Sequence, residues 1–320
     1  MVISMNNRTV VLNAARMNYD GKLDLSVLSS QVTQYEATDE ADILARVQGQ
    51  NIVVTKELPV RGEILARFPD SVKLICEAGT GYNNLDVDAA RARGITICNI
   101  PAYSTQRVAH TAIMMILNLS SSMQRQQAML TRGDRSNFTR FLQVDHTEVN
   151  GKILGIVGAG HIGREVIKIG LALGMKVLAY NRSPRPDEEG VHFTSLEEVL
   201  RNSDYVSLHC PLTPQTRHLI HAETLALMKP SAFLINTARG ALVDEPALIA
   251  ALKAGRLAGA GLDVQETEPP QPDSPLYEME QVILTPHMGW KGLETRQRLV
   301  TILAENISHF LGGDPIHVVS

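Results

Sequence analysis

Short runs of β-branched and aliphatic residues alternate with helix-length amphipathic segments along most of the chain, the pattern of parallel strands joined by crossover helices. Early strand candidates are residues 10–12, 52–55, 74–77 and 95–99, with helices such as 40–47 between them. They predict a first α/β layer system. A longer helical stretch runs from Ser104 to about Met129. Its segment 112–117 is apolar nearly all round, which predicts burial between domains or subunits. The polar stretch 133–150 has few aliphatic residues and reads as a long connection or arm.

Six further strand candidates follow at 153–157, 177–180, 206–209, 233–236, 261–264 and 282–284. Six is the strand count of the doubly wound dinucleotide fold, whose ligands bind beyond the carboxyl ends of the strands. Asn181, His209, Thr237, Arg239, Asp263 and His287 fall at those ends. The last amphipathic segment, 292–311, is placed to return the chain to the first domain. The predicted organisation is therefore two doubly wound parallel-sheet α/β domains. A substrate domain of residues 1–103 and 287–320, flavodoxin-like and discontinuous, is interrupted by a Rossmann cofactor domain of residues 104–286.

Between the run 153–157 and a helix-like run 164–174 lies Gly158-Ala159-Gly160-His161-Ile162-Gly163. The spacing G-x-G-x-x-G is weak alone, and the strand before it and helix after it give it meaning. The first glycine makes a tight turn, the second admits a pyrophosphate to the backbone, and the third lets helix and strand approach. Phosphates then meet the unpaired N–H groups of a helix N-terminus.

Composition narrows the partners. At 320 residues and 44% hydrophobic, the chain has ample material for two cores. A net charge of −4 without long basic or acidic blocks argues against nucleic acid and anionic membranes, leaving small molecules. Cys76, Cys98 and Cys210 are odd in number, far apart and set in apolar runs, as in a reducing compartment. Residues 1–13 lack the cationic start and apolar core of a signal peptide, and the most membrane-like run, 112–119, is too short to span, so the cytoplasm is expected. No metal site is expected.

Hydride transfer to a ketone needs an acid near the carbonyl oxygen, a cation for an acidic substrate, and a held nicotinamide. His287, after Pro286, has the intrinsic chemistry for proton exchange near neutrality. Glu268 is a candidate carboxylate partner that would fix its tautomer. Arg239, after Asn236-Thr237-Ala238, offers a bidentate grip on a carboxylate. The glycine-rich loop 78–84, containing Gly79, Thr80 and Gly81, offers backbone N–H groups to a small anion. Read one at a time, each of these residues has a purely structural alternative.

Five ordered motifs remove those alternatives: the fingerprint at 158–163, Leu208-His209-Cys210-Pro211-Leu212-Thr213, Asn236-Thr237-Ala238-Arg239-Gly240, Leu262-Asp263-Val264 with Glu268-Pro269, and Pro286-His287. With them the chain resembles, over essentially its whole length, the D-isomer-specific 2-hydroxyacid dehydrogenases. The resemblance implies His287 as acid/base, Glu268 as its partner, and Arg239 as ligand of the substrate's carboxylate and carbonyl oxygen. It implies that backbone at Gly79, Thr80 and Gly81 holds the substrate carboxylate, with closure of the two domains during catalysis. Asp263 would orient the nicotinamide carboxamide, and Gly158, Gly160, His161, Ile162, Gly163, His209, Cys210, Pro211, Thr216, Thr237, Ala238 and His287 would contact the cofactor. A homodimer formed through the cofactor domain is also implied, with the 104–129 helix and the arm as candidates.

Two positions depart from the family pattern. Where many members end the second strand with an acid, this chain has Asn181, then Arg182, Ser183 and Arg185, and no acid until Asp187. An acid there accepts from the 2'-OH of NAD, whereas two arginines suit the 2'-phosphate of NADP, so NADP is preferred over NAD. His110 stands where relatives often carry an acid or amide; no firm role follows, and it is expected as a hinge-helix side chain near the cleft. The loop 79–86 and the closing His287-Met288-Gly289-Trp290 look most similar to the glycerate dehydrogenase and hydroxypyruvate or glyoxylate reductase branch, with Trp290 capping a small polar substrate. Phosphoglycerate, D-lactate or bulkier acids are alternative substrates, although the chain ends about thirty residues after His287, short of the regulatory domain many phosphoglycerate enzymes carry. Glu268 disfavours a formate dehydrogenase, whose branch uses an amide there. A nucleotide-sensing, corepressor-like binding protein is the alternative from another class.

Overall fold

The computed structural model describes residues 7–320; residues 1–6, part of the segment inspected for a signal peptide, lie outside it. The chain forms two compact units, the first running up to Tyr103 and resuming at Lys291–Ser320, the second spanning Ser104–Trp290.

The first unit carries five parallel strands, β1 (Arg8–Val11), β2 (Gln31–Gln34), β3 (Ile52–Thr55), β4 (Leu74–Glu77) and β5 (Thr96–Cys98), in the order β2-β1-β3-β4-β5. This is the flavodoxin-like order. β3 and β4 are buried along their whole length, as central parallel strands covered on both faces must be. β2, of sequence Gln-Val-Thr-Gln, is a largely exposed edge strand without an apolar run, and the hydrophobic pattern gives no sign of it. The predicted 40–47 helix is a 3₁₀ turn, Glu40–Asp42, followed by one α-turn, Ile43–Arg46.

The Leu293–Leu311 helix packs against β4 of the same unit. Arg296, 2% exposed at its side chain, fastens it with two hydrogen bonds to Asp20, at 2.8 and 2.7 Å, and lies over the Tyr19 ring. The guanidinium holds the Asp20 carboxyl well below its ordinary range, at about 2.

The second unit holds β6 (Ile153–Val157), β7 (Lys176–Tyr180), β8 (Val191–Phe193), β9 (Tyr205–Leu208), β10 (Phe233–Asn236), β11 (Gly259–Leu262) and β12 (Val282–Leu284). All are parallel, in the order β8-β7-β6-β9-β10-β11-β12. The sheet is the doubly wound Rossmann type with seven strands rather than six. The extra strand is the three-residue edge β8, too short to leave a period. The strand order reverses between β6 and β9, and that is where such folds place a ligand.

The 104–129 stretch is two helices, Thr105–Ser120 and Met123–Thr131, separated by Ser122 in the left-handed region at φ 48°. The first packs on the His161–Ala172 helix and on β10 and β11. Ala112, Ile113, Met115 and Ile116 are buried, while Leu117 is 40% exposed, so within its unit the helix is covered on one side only. The arm contains one short helix, Ser136–Thr139, and exposes Phe138 and Phe141. Among the described residues no helix is long and apolar enough to cross a membrane.

The return to the first unit falls at Lys291, not at residue 287. The cause is local. The amides of His287, Met288 and Gly289 all donate to Asp263 of the second unit, while the Lys291 carbonyl accepts from Tyr19 Oη at 3.1 Å and Arg296 Nε at 3.0 Å in the first.

Candidate active site and cofactor cleft

The glycine loop follows β6. Gly158 has φ 99°, a region L-residues avoid, and a Cβ there would lie 2.7 Å from the Cys210 amide nitrogen. A Cβ on Gly163 would lie 2.2 Å from the Gly158 carbonyl oxygen, whereas one on Gly160 would meet nothing within 4 Å. The first and third glycines thus let chain meet chain, and the second faces open space, where a pyrophosphate needs access. His161, Ile162 and Gly163 begin the helix, so their amides belong to the first turn, which has no intrahelical acceptors. A second observation fits the same group: Thr237 Oγ1, after β10, is buried with no hydrogen-bond partner. These residues fit a dinucleotide.

The Asn181 side chain accepts from the Ala159 amide at 3.0 Å, which leaves its NH₂ as a donor with no partner among the described residues. Arg182, Ser183 and Arg185 are exposed. The nearest acid, Asp187, is engaged within its own loop by His192 at 2.7 Å and the Phe193 amide at 2.8 Å.

After β9, His209 meets Ser207 Oγ at 2.8 Å, and burial pushes its imidazole down to about 3, so it is neutral at ordinary pH. The Cys210 thiol is pushed up to about 11 by the same cause, which removes it as a nucleophile. Thr216 Oγ1 donates to the Pro211 carbonyl at 2.7 Å and accepts from the Thr213 amide at 2.7 Å. Its hydroxyl therefore shapes the turn that presents His209, Cys210 and Pro211.

Buried Asn236 sets the next turn, donating to the Arg239 carbonyl at 2.8 Å and accepting from the Ala238 amide at 3.1 Å. Gly240, directly after Arg239, touches the other active loop: a Cβ there would lie 1.8 Å from the Gln265 carbonyl oxygen. This contact fixes the Arg239 turn against the segment that carries Glu268. His287 Nδ1 donates to Glu268 Oε2 at 2.8 Å, and Glu268 Oε1 accepts from the Gln265 amide at 3.2 Å. His287 Nε2 has no hydrogen-bond partner among the described residues and is left for a ligand.

Asp263, expected to face the nicotinamide carboxamide, also holds the turn under His287. It is 1% exposed; Oδ1 accepts from Thr285 Oγ1 at 2.6 Å and the Met288 amide at 2.8 Å, and Oδ2 from the Gly289 amide at 2.7 Å. Its backbone carbonyl accepts from the His287 amide at 2.9 Å. The carboxylate builds the turn on which His287 sits, at φ 48°. Nothing in the local sequence marks Asp263, Asn236 or Gly240 for these duties, because each acts on a segment distant in sequence or through a turn shape. Trp290 is 6% exposed, so much of the indole is covered within the protein.

The loop after β4, in the first unit, is held from its carbonyl side. The Gly79 carbonyl accepts from the Ile100 amide at 2.9 Å and the Thr80 carbonyl from Asn99 Nδ2 at 2.7 Å. Buried Glu77 anchors its base, accepting from Thr55 Oγ1, the Glu57 amide and Asn84 Nδ2 at 2.6, 2.8 and 2.9 Å. Burial raises the Glu77 carboxyl above its ordinary range. The amides of Gly79, Thr80 and Gly81 have no acceptor among the described residues, as an anion-binding loop requires. The described residues contain no group of three or more His, Cys, Asp or Glu side chains suited to a metal ion.

Two predictions follow from the second unit. Asp263→Ala leaves three donors at the His287 turn without their acceptor; turnover of a 2-oxo acid is expected to fall about hundredfold, with cofactor Kd changed less than about threefold. Fluorescence titration with steady-state kinetics checks this, and a loss confined to cofactor Kd would instead support the carboxamide role. His209 has a folded-state pKa below its unfolded value of about 6.5, so its contribution is full above that pH and is lost as pH falls toward 3. Unfolding free energy should therefore drop with falling pH by at most roughly 1.4 kcal/mol per unit from this group. His209→Gln should take up about one proton fewer on unfolding near pH 5; an unchanged pH slope in urea denaturation contradicts this.

Comparison with known proteins agrees with this geometry. Residues 113–289 match the family model for the D-isomer specific 2-hydroxyacid dehydrogenase NAD binding domain. The chain is 37% identical over 287 residues to a hydroxypyruvate reductase of Blautia hydrogenotrophica, covering 88% of this chain and 89% of that one. It is 40% identical over 291 residues to a glycerate dehydrogenase of Methylorubrum extorquens, covering 89% and 91%. The solved structure of a D-2-hydroxyisocaproate dehydrogenase superposes with a TM-score of 0.87 at 27% identity, covering 97% of this chain and 99% of that one. The dinucleotide fingerprint, the His287–Glu268 pair and these relationships together place the chain in the D-isomer-specific 2-hydroxyacid dehydrogenases, oxidoreductases that work with a nicotinamide cofactor.

Proposed function

We propose that the protein reduces a small 2-oxo acid, hydroxypyruvate or glyoxylate, to the D-2-hydroxy acid, D-glycerate or glycolate, with NADPH as the preferred cofactor. The observation that carries this reading is the 2.8 Å bond from His287 Nδ1 to Glu268, which leaves Nε2 to serve the substrate oxygen. The small-acid assignment is supported by the similarity to a hydroxypyruvate reductase and a glycerate dehydrogenase.

In this reading Arg239 binds the substrate carboxylate and carbonyl oxygen. When bound, the reduced nicotinamide supplies hydride for C2. Protonated His287 gives its Nε2 proton to the developing alkoxide, and Glu268 stabilises the imidazolium and fixes its orientation. In the oxidative direction neutral His287 accepts the hydroxyl proton. The indole of Trp290 limits the site to a short acid.

The preference for NADPH rests on charge and on hydrogen-bond polarity. The NH₂ of Asn181 is a donor, as a phosphate requires, whereas a ribose 2'-OH in an NAD site donates to a carboxylate. The exposed guanidinium groups of Arg182 and Arg185 supply charge-assisted donors nearby, with Ser183 between them. A homodimer through the cofactor unit is supported by the outward side of the Thr105–Ser120 helix, where Ile113, Met114, Leu117 and Ile169 line an apolar depression with His110 and Asn118. In this reading His110 would lie at the contact between protomers.

His287→Ala is expected to lower turnover at least about thousandfold while NADPH affinity stays within about threefold, by kinetics and fluorescence titration. Turnover near wild type would sink the assignment. For the cofactor, KM for NADPH is expected to be at least about tenfold below that for NADH, and Arg182→Ala should erase most of the difference. A preference for NADH in the unmodified protein rejects the NADP reading.

A further inference from the structure

Beside the catalytic pair lies a polar cluster that the proposed reaction does not use. Glu266 Oε1 accepts from Arg217 Nη2 at 2.8 Å and from His218 Nε2 at 2.7 Å, while the Glu266 amide donates to Glu245 Oε2 at 3.1 Å. Glu266 is only 24% exposed at its side chain, and His218 34%. The cluster joins two loops. Arg217 and His218 close the turn that presents His209, Cys210 and Pro211, with the Arg217 amide bound to the Thr213 carbonyl at 2.9 Å and the His218 amide to the Ala241 carbonyl at 2.8 Å. Glu266 belongs to the segment whose neighbours are Gln265, packed on Gly240, and Glu268, bonded to His287.

Several restraints converge on residues 265–268. The close approach of Gly240 to the Gln265 carbonyl and the bond from the Gln265 side chain to the Leu262 carbonyl at 3.2 Å fix one end of the segment. The Glu266 amide, bonded to Glu245, holds the backbone one residue on, and the double grip on the Glu266 side chain ties that point to the Arg217–His218 turn as the segment leads to Glu268. An exposed ion pair by itself contributes little to stability. One carboxylate oxygen receiving two donors at the base of a catalytic loop has another use, because a displacement of about 1 Å at a catalytic group lowers rates about hundredfold.

We propose that Glu266, held by Arg217 and His218, is a positioning residue: it orients the 265–268 segment so that Glu268 keeps His287 in the Nδ1–H tautomer, with Nε2 presented to the substrate. Among the described residues, the charged groups bonded to Glu266 are Arg217 and His218 from the turn after β9 and Glu245 from the start of the Glu245–Lys253 helix. The proposal rests on the reading of His287 and Glu268 as the acid–base pair.

The test compares Glu266→Ala with Glu266→Gln, whose amide oxygen still accepts from Arg217 and His218. The His287 tautomer is read in folded protein by ¹⁵N NMR of histidine-labelled enzyme, alongside kcat, KM for NADPH and the thermal midpoint. Glu266→Ala is expected to give a mixture of tautomers and a kcat about tenfold lower, with KM for NADPH within about twofold. Glu266→Gln is expected to restore the wild-type tautomer and kcat to within about threefold. An unchanged tautomer in Glu266→Ala, or equal effects of the two substitutions, overturns the proposal. The tautomer readout needs no turnover, so a wild-type enzyme inactive on every 2-oxo acid, yet showing these tautomer changes, would overturn the functional reading and uphold the positioning role.

Discussion

A single buried carboxylate, Asp263, holds the backbone of His287 where the chemistry needs it. A non-glycine residue in the left-handed region costs about 1–2 kcal/mol, and His287 has φ 48°. Three donors converge on the Asp263 carboxylate, and hydrogen bonds to a charged acceptor contribute about 1.5–3 kcal/mol each, enough to offset that strain. The turn after β12 is therefore set by the end of β11, two neighbouring parallel strands whose register pairs Leu262 with Leu284. Sheet geometry passes directly into the placement of the imidazole.

The other active groups rest on that frame through contacts of the same kind. Asn236 shapes the turn that ends in Arg239, and Gly240 lets that turn lie against the Gln265 carbonyl, so Arg239 and Glu268 share one packed junction. On the other side of the strand-order reversal, Gly158 lies against His209 and Cys210, which ties the phosphate loop to the β9 end. Each candidate side chain lies in the loop that follows the carboxyl end of a parallel strand, and each loop is fixed by a backbone-to-backbone approach or a buried acceptor from its neighbour.

Much of this was legible in the sequence, for reasons that differ by element. The buried parallel strands are continuous apolar runs, and the glycine fingerprint, His287, Glu268 and Arg239 sit in motifs whose order carries the family. Strand β2, Gln-Val-Thr-Gln, was invisible because an exposed edge strand has no hydrophobic period, and β8 because three residues show none. The break at Ser122 carries no Gly or Pro to mark it, and the residues after it are as helix-compatible as those before. The return at Lys291 instead of 287, the turn-building carboxylate of Asp263 and the loop-holding hydroxyl of Thr216 are tertiary or turn hydrogen bonds. A motif names such residues without saying what their polar atoms touch.

The most direct test of the account is the configuration of the product. Hydroxypyruvate is incubated with the enzyme and NADPH, and the glycerate formed is separated on a chiral column. The proposed site, which would present one face of C2 to the hydride and the carbonyl oxygen to His287, predicts D-glycerate alone; L-glycerate, a racemate or no glycerate contradicts it.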